Sequence, residues 1–203
     1  MLLYHGTSES AAKTILRSGA IKPRGRRRHN WPDRPSRVDR VYLSRAYAPF
    51  YAAVAAKTER LAILQVELDR LDRSRLVPDE DFLQQVPGEG QQWSASLDNL
   101  GSLAHLGPIP IEAISRAVFF DPKKAPQLHA AFLDPCISLM NYRLCGARYR
   151  ALTHWIMGEP VTALEMFTSF GLAEWEFMPE QWRRECEALA EDRTCLEVMP
   201  GFR

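Results

Sequence analysis

The segment LAILQVELD at residues 61–69 limits the fold more than any other part of the chain. Leu61, Ala62, Ile63 and Leu64 form a short apolar run, after which Gln65, Glu67 and Asp69 alternate with Val66 and Leu68. A strand that is apolar on both sides has to be covered on both sides, so this pattern predicts a central strand emerging from a core. Other elements arrange themselves around it. LLYH at 2–5 predicts a short opening strand, and ESAAKTILRSG predicts a helix with Ala11, Ala12, Ile15 and Leu16 at helical spacing. Ser8 or Ser10 caps that helix and Gly19 ends it. VYLS at 41–44 predicts a second strand, and RAYAPFYAAVAAKT a helix that tolerates Pro49 near its first turn. PDEDFLQQVP reads as a turn and short helix, and GEGQQWSASLDN as a polar loop. GSLAHLGPIP reads as a strand interrupted by Gly107 and Pro108, and AVFFD as a further strand. Beyond Lys123 the pattern turns helical over 126–158 and 160–192, with Trp155, Trp175 and Trp182 expected in the core. The prediction is an α+β body over residues 1–122 and a helical extension over 123–203.

The 203 residues are 46% hydrophobic and 25% charged, which excludes a wholly disordered chain. A net charge of +1 hides one strongly basic stretch: Lys22 to Arg40 carries eight Lys or Arg against two Asp. Pro23, Gly25, Pro32 and Pro35 mark that stretch as a loop. Cys136, Cys145, Cys186 and Cys195 form no CxxC pair and are expected to be reduced, mostly buried thiols. The opening MLLYHGTSES has no basic region of a signal peptide, and no run approaches the roughly 18 apolar residues of a membrane span. The expected compartment is the cytoplasm. The five histidines are scattered, so no metal site is expected. Walker A, GxGxxG and GxSxG patterns are missing.

Three groups of residues could carry chemistry. His5 ends a strand and is followed by Gly6, Thr7 and Ser8. A glycine there allows close approach of a ligand to backbone, and the imidazole and hydroxyls can bond a ribose; the same residues also read as a buried polar side chain and a helix cap. Tyr42, with Tyr47, Phe50 and Tyr51 one helix later, can stack on a flat heterocycle or simply pack. Arg24, Arg26, Arg27, Arg28, Arg34, Arg37 and Arg40, with His29 and Trp31 among them, read as a phosphate-binding surface or as a solvated loop.

Taken in order, LYHGTS, a helix AAxxIL, SGxIxP, VYLS, an alanine- and aromatic-rich helix and LAILQVELD resemble the ADP-ribosyltransferase superfamily, in its His–Tyr–Glu branch. DNLGSLAHLGPIPIEAI also resembles the last core strand of RNA 2'-phosphotransferases. The resemblance spans about residues 2–120. It implies a split sheet around an NAD cleft, with NAD as co-substrate and no metal. It assigns His5 to a ribose, Gly6 and Thr7 to the cofactor, Tyr42 to the nicotinamide pocket, Tyr51 to the opposing stack and Ser44 to the amide. Arg24, Arg26, Arg27, Arg28 and Trp31 would hold NAD pyrophosphate or a nucleic-acid acceptor. The chain departs from the pattern where the last core strand should begin with Glu: Gly101 or Ser102 stands there. Asp98 is the nearest acid and is taken as the catalytic candidate, with Asp79, Glu80 and Asp81 as a second acidic group; transfer without a carboxylate also remains open. The activity implied is transfer of ADP-ribose to RNA, DNA or protein, as in toxins and phage effectors. The alternatives are an RNA 2'-phosphotransferase-like enzyme and an inactive module binding nucleic acid or protein. The extension could cover the sheet, bind a protein inhibitor or form a dimer.

Overall fold

The computed structural model describes residues 1–24, 36–57, 59–81, 92–133 and 142–201. In chain order the strands are β1 (Leu2–Ser8), β2 (Ala20–Ile21), β3 (Arg40–Ser44), β4 (Leu61–Glu67), β5 (Leu76–Pro78), β6 (Ser102–Leu106), β7 (Ile109–Pro110), β8 (Ile114–Phe120) and β9 (Leu196–Val198). The helices are α1 (Glu9–Ser18), α2 (Ala48–Ala56), α3 (Trp93–Leu100), α4 (Pro126–Phe132), α5 (Tyr142–Ile156), α6 (Ala163–Phe167), α7 (Leu172–Phe177) and α8 (Glu180–Glu191). The fold is α+β. Seven strands form one sheet in the order β5-β6-β3-β1-β4-β8-β9, with β2 and β7 paired separately.

β4 is the central strand its sequence predicts: Leu61 to Val66 are all buried, and the strand pairs antiparallel with β1 on one side and β8 on the other. Its two faces feed two cores. Leu61 and Ile63 join Tyr4, Phe120, Phe132, Tyr149 and Trp155 beneath α2, α4 and α5. Ala62, Leu64 and Val66 join Leu3, Ile15, Leu43, Leu97, Leu103 and Phe119 beneath α1 and α3.

The sheet is interrupted in its middle, besides a register shift between Gln65 and Val66 where β4 pairs with β8. β1 pairs with β4 at every residue from Leu2↔Glu67 to Ser8↔Leu61, but with β3 at Tyr4↔Ser44 alone. Past that pair the two strands part. The result is a three-strand unit, β5-β6-β3, hinged to a four-strand unit, β1-β4-β8-β9.

α2 lies across β1 close to the opening, and its sequence explains how. Ala48, Ala52 and Ala56 recur every four residues, putting a stripe of small side chains on one face. They are buried against the strand. Opposite them stands Gly6: a Cβ there would lie 1.9 Å from the Ala48 carbonyl oxygen and 2.8 Å from the Ala52 nitrogen. The space a side chain would need is filled by helix backbone.

Three expectations are corrected. GEGQQWSASLDN is not loop throughout: Trp93–Leu100 is helical, and Ser96 and Leu97 are buried. The C-terminal region contributes a strand, since Leu196, Glu197 and Val198 pair with Phe120, Phe119 and Val118 at the sheet edge. Trp155 is fully buried as expected, but Trp182 is 59% exposed. α5 also packs on the body's sheet, and Thr153 donates to the Ala46 carbonyl at 2.8 Å.

The Gly6 contact makes a prediction. The atoms a Cβ would strike are backbone, so no rotamer change can relieve them. Gly6→Ala should destabilise the protein by about 3 kcal/mol, at the upper end of overpacking costs, read as a lowered urea midpoint by tryptophan fluorescence. A variant as stable as wild type would show that α2 does not seat on β1 in this way.

Candidate active site at the split between two strands

The backbone of β1 determines what faces the opening. Glu9 N–H donates to Arg60 O at 3.0 Å and Leu68 N–H to Met1 O at 2.9 Å, so odd-numbered residues of β1 address β4. Antiparallel ladders alternate, so the N–H and C=O of Tyr4, Gly6 and Ser8 turn toward β3. Tyr4 finds Ser44 there. Gly6 lies beyond the last pair, and its peptide groups face the gap.

His5 bridges the gap with its side chain. Its Nδ1 lies 3.0 Å from the Tyr42 carbonyl oxygen. A carbonyl only accepts, so Nδ1 carries the hydrogen and donates. Burial lowers the imidazole pKa from its ordinary value, opposed by that backbone hydrogen bond. The ring is therefore neutral at pH 7, and Nε2 is left as an acceptor.

Tyr42 connects this point to an acidic cluster. Its hydroxyl donates to Glu80 Oε1 in a short hydrogen bond. The Arg37 N–H donates both to the Tyr42 oxygen at 2.9 Å and to Glu80 Oε1 at 3.0 Å. The Arg40 guanidinium lies 3.8 Å from Glu80 Oε2. Burial, then the Glu80 hydrogen bond and charge, raise the Tyr42 pKa, so the phenol stays protonated as a donor. For Tyr51 on α2, burial, then the charges of Asp79 and Asp81, raise the pKa. Its ring meets Phe50 edge-on, with centroids 5.5 Å apart.

Asp79 is the base of the cluster. Its carboxylate accepts from the Asp81 N–H at 3.1 Å and from the Ser102 hydroxyl at 2.8 Å. Ser96 ties the two segments together, accepting from the Asp79 N–H at 3.0 Å and donating to the Ser102 carbonyl at 2.8 Å. Burial pushes the Asp79 carboxyl up to about 6, against the pull of its hydrogen bonds.

The structure thus brings His5, Gly6 and Tyr42 together, while the Tyr51 ring packs on Phe50 in α2. It sets two other candidates elsewhere. Ser44 is 1% exposed. Its hydroxyl donates to Gly101 O at 3.0 Å and accepts from Ala46 and Tyr47 N–H at 3.1 and 2.9 Å. A hydroxyl has one donor and two lone pairs, so none is left for an amide. Asp98 lies on α3 with its side chain 66% exposed, paired with Arg45 at 3.1 Å. Thr7 is buried within β1. Arg24 is half-buried, while Arg26, Arg27, Arg28 and Trp31 lie outside the described residues. Among the described residues no group of three or more His, Cys, Asp or Glu could hold a metal ion, and no helix is long and apolar enough to cross a membrane.

Neither a protein-family model nor a curated protein matches the chain. Solved structures that are similar to it include two chains. EcPltA is 15% identical with a TM-score of 0.36, covering 59% of this chain and 75% of its own. Thermus sp. 2.9 DarT in complex with carba-NAD+ is 15% identical with a TM-score of 0.36, covering 64% of this chain and 87% of its own.

Sequence reasoning missed the anchoring roles of Arg37, Arg40 and Ser96. The sign of Ser96 was present in Trp93, Leu97 and Leu100, which recur at helical spacing and place a helix beside the acids. Arg37 acts through its backbone, which no residue type announces.

The buried Asp79 makes a pH prediction. The folded carboxyl binds its proton more tightly than an unfolded one, so its contribution to stability falls as pH rises from about 4 to about 6 and is level above. The wild-type minus Asp79→Asn difference in unfolding free energy should shift across that window by at most about 3 kcal/mol. Urea titrations of both proteins at several pH values test this; parallel curves would mean that Asp79 is not buried as described.

Proposed function

We propose that this chain is an ADP-ribosyltransferase that cleaves NAD between nicotinamide and ribose and passes ADP-ribose to a macromolecule. One observation carries the reading: beside the split, Gly6 presents a peptide donor and acceptor that no strand among the described residues pairs, next to a histidine with a fixed tautomer. A planar carboxamide has the complementary acceptor and donor. The donor set fits NAD on chemical grounds. Gly6 would hold the carboxamide through its backbone, and His5 Nε2 would accept a ribose hydroxyl hydrogen. Tyr42 and Tyr51 supply aromatic surface for a heterocycle. Fixing these partners orients the ribose, and positioned dipoles favour the positive charge that develops on it as nicotinamide departs.

The basic stretch from Lys22 to Arg40 supports a nucleic-acid or other anionic acceptor. Its far end is part of the site, because Arg37 and Arg40 contact Glu80. Arg26, Arg27, Arg28 and Trp31 are proposed to meet the acceptor's phosphates and bases.

One departure favours a second reading. Ser102 stands where the resembled branch begins its last core strand with Glu, which suits a module that binds without turning over. Nicotinamide release, and mass shifts on RNA, DNA and protein after incubation with NAD, separate the two. Turnover is expected, with His5→Ala at least about 100-fold slower through lost positioning. Charge reversal at Arg26, Arg27 and Arg28 should weaken acceptor binding and flatten its salt dependence. Saturable RNA binding without nicotinamide release would establish the binding module instead.

A further inference from the structure

We infer that Glu80, carried on the segment after β5, is the catalytic carboxylate of this site in place of an acid on the last core strand. The inference rests on the NAD-cleaving reading above. The strand position itself is occupied by Ser102, which pairs with Ser44 across β3 and β6. Its hydroxyl points to Asp79. β5 lies on the outer side of β6 in antiparallel register, with Pro78 opposite Leu103. The chain leaving β5 therefore passes the start of β6, and the two residues after Pro78 bond the side chains of Ser102 and Tyr42. Asp79 fills the place behind Ser102. Glu80 reaches across to Tyr42 on β3.

The acids differ in what they leave available. Both oxygens of Asp79 accept hydrogen bonds, and the residue is buried, so it braces the segment. Asp98 is exposed on α3 and paired with Arg45. Glu80 is divided between its oxygens. Oε1 is fixed by the Tyr42 hydroxyl and the Arg37 N–H. Oε2 is buried and makes no hydrogen bond among the described residues, with only the Arg40 guanidinium 3.8 Å away. A buried carboxylate oxygen lacking a donor is costly unless a ligand supplies one. One oxygen is thus held, and the other is buried with its hydrogen-bonding capacity unused among the described residues.

The step balances as follows. The C–N bond between nicotinamide and ribose breaks, and its electron pair leaves on nicotinamide, which departs neutral. A nucleophilic O–H or N–H of the acceptor forms the new bond at the same ribose carbon. Its proton passes to Glu80 Oε2 and then to water. Before that, the carboxylate's negative charge favours the cationic ribose. Arg40 and the hydroxyl of Tyr42 position Glu80.

The test uses the full chain, NAD, and any acceptor that wild type modifies. Glu80→Gln should release nicotinamide at least 100-fold more slowly while binding NAD within threefold of wild type by tryptophan fluorescence. Glu80→Asp, which keeps the charge but shortens its reach, should lose less, and Tyr42→Phe about tenfold. Thermal melts of each variant confirm folding. Wild-type turnover in a folded Glu80→Gln variant overturns the inference while leaving the NAD reading intact, as does loss in Asp98→Asn with Glu80→Gln unaffected. A wild-type protein that releases no nicotinamide overturns the NAD reading and the inference with it.

Discussion

The hydrogen bond from His5 Nδ1 to the Tyr42 carbonyl spans the gap where β1 and β3 part. Where two antiparallel strands part, each leaves peptide groups without their ladder partners, and such groups are costly if buried. Here a side chain takes one of them. The Tyr42 carbonyl is satisfied, the imidazole is fixed in one tautomer, and the Gly6 peptide groups remain turned toward the opening. Because Tyr42 also bonds Glu80 through its hydroxyl, one residue joins the two halves of the site by its backbone on one side and its ring on the other. Spacing between the halves is set by a tyrosine side chain, a rigid unit with two torsions.

The acidic segment depends on a second piece of packing. Asp79 is buried, yet it retains a structural role because Ser102 and the Asp81 peptide supply its hydrogen bonds. Ser96, reaching both Asp79 and Ser102, fixes the end of β5 to the start of β6. With that corner rigid, Glu80 has few places to go. Three basic or hydrogen-donating groups of β3 and its approach, Arg37, Arg40 and Tyr42, then draw it inward.

Much of this was readable from the residues, and the failures have physical causes. Apolar run and alternation located β4, and the Ser8 and Gly19 signals located α1, because each is a local property. β1 runs three residues further than LLYH suggests: Gly6 and Ser8 have poor strand character, yet both, with Thr7 between them, are held by the β4 ladder. β9 has three residues and no period to detect; it exists because β8 offers an edge. In the site, His5 and Tyr42 stood out by type and order. Ser44 was misjudged because its partners are backbone groups of a turn, which sequence does not display. Asp98 attracted attention through proximity in sequence to the last strand, whereas Glu80 comes near through sheet order.

The seat of α2 on Gly6 separates two kinds of information that a motif such as HGT fuses. The glycine answers to the helix above it, while the histidine answers to the Tyr42 carbonyl on the opposite strand. On the NAD-cleaving reading proposed above, a descendant that lost its chemistry and kept its shape would still require the glycine, while the histidine and glutamate would be free to drift. Position 6 is thus a marker of architecture, and positions 5 and 80, read as a pair, are the marker of occupation.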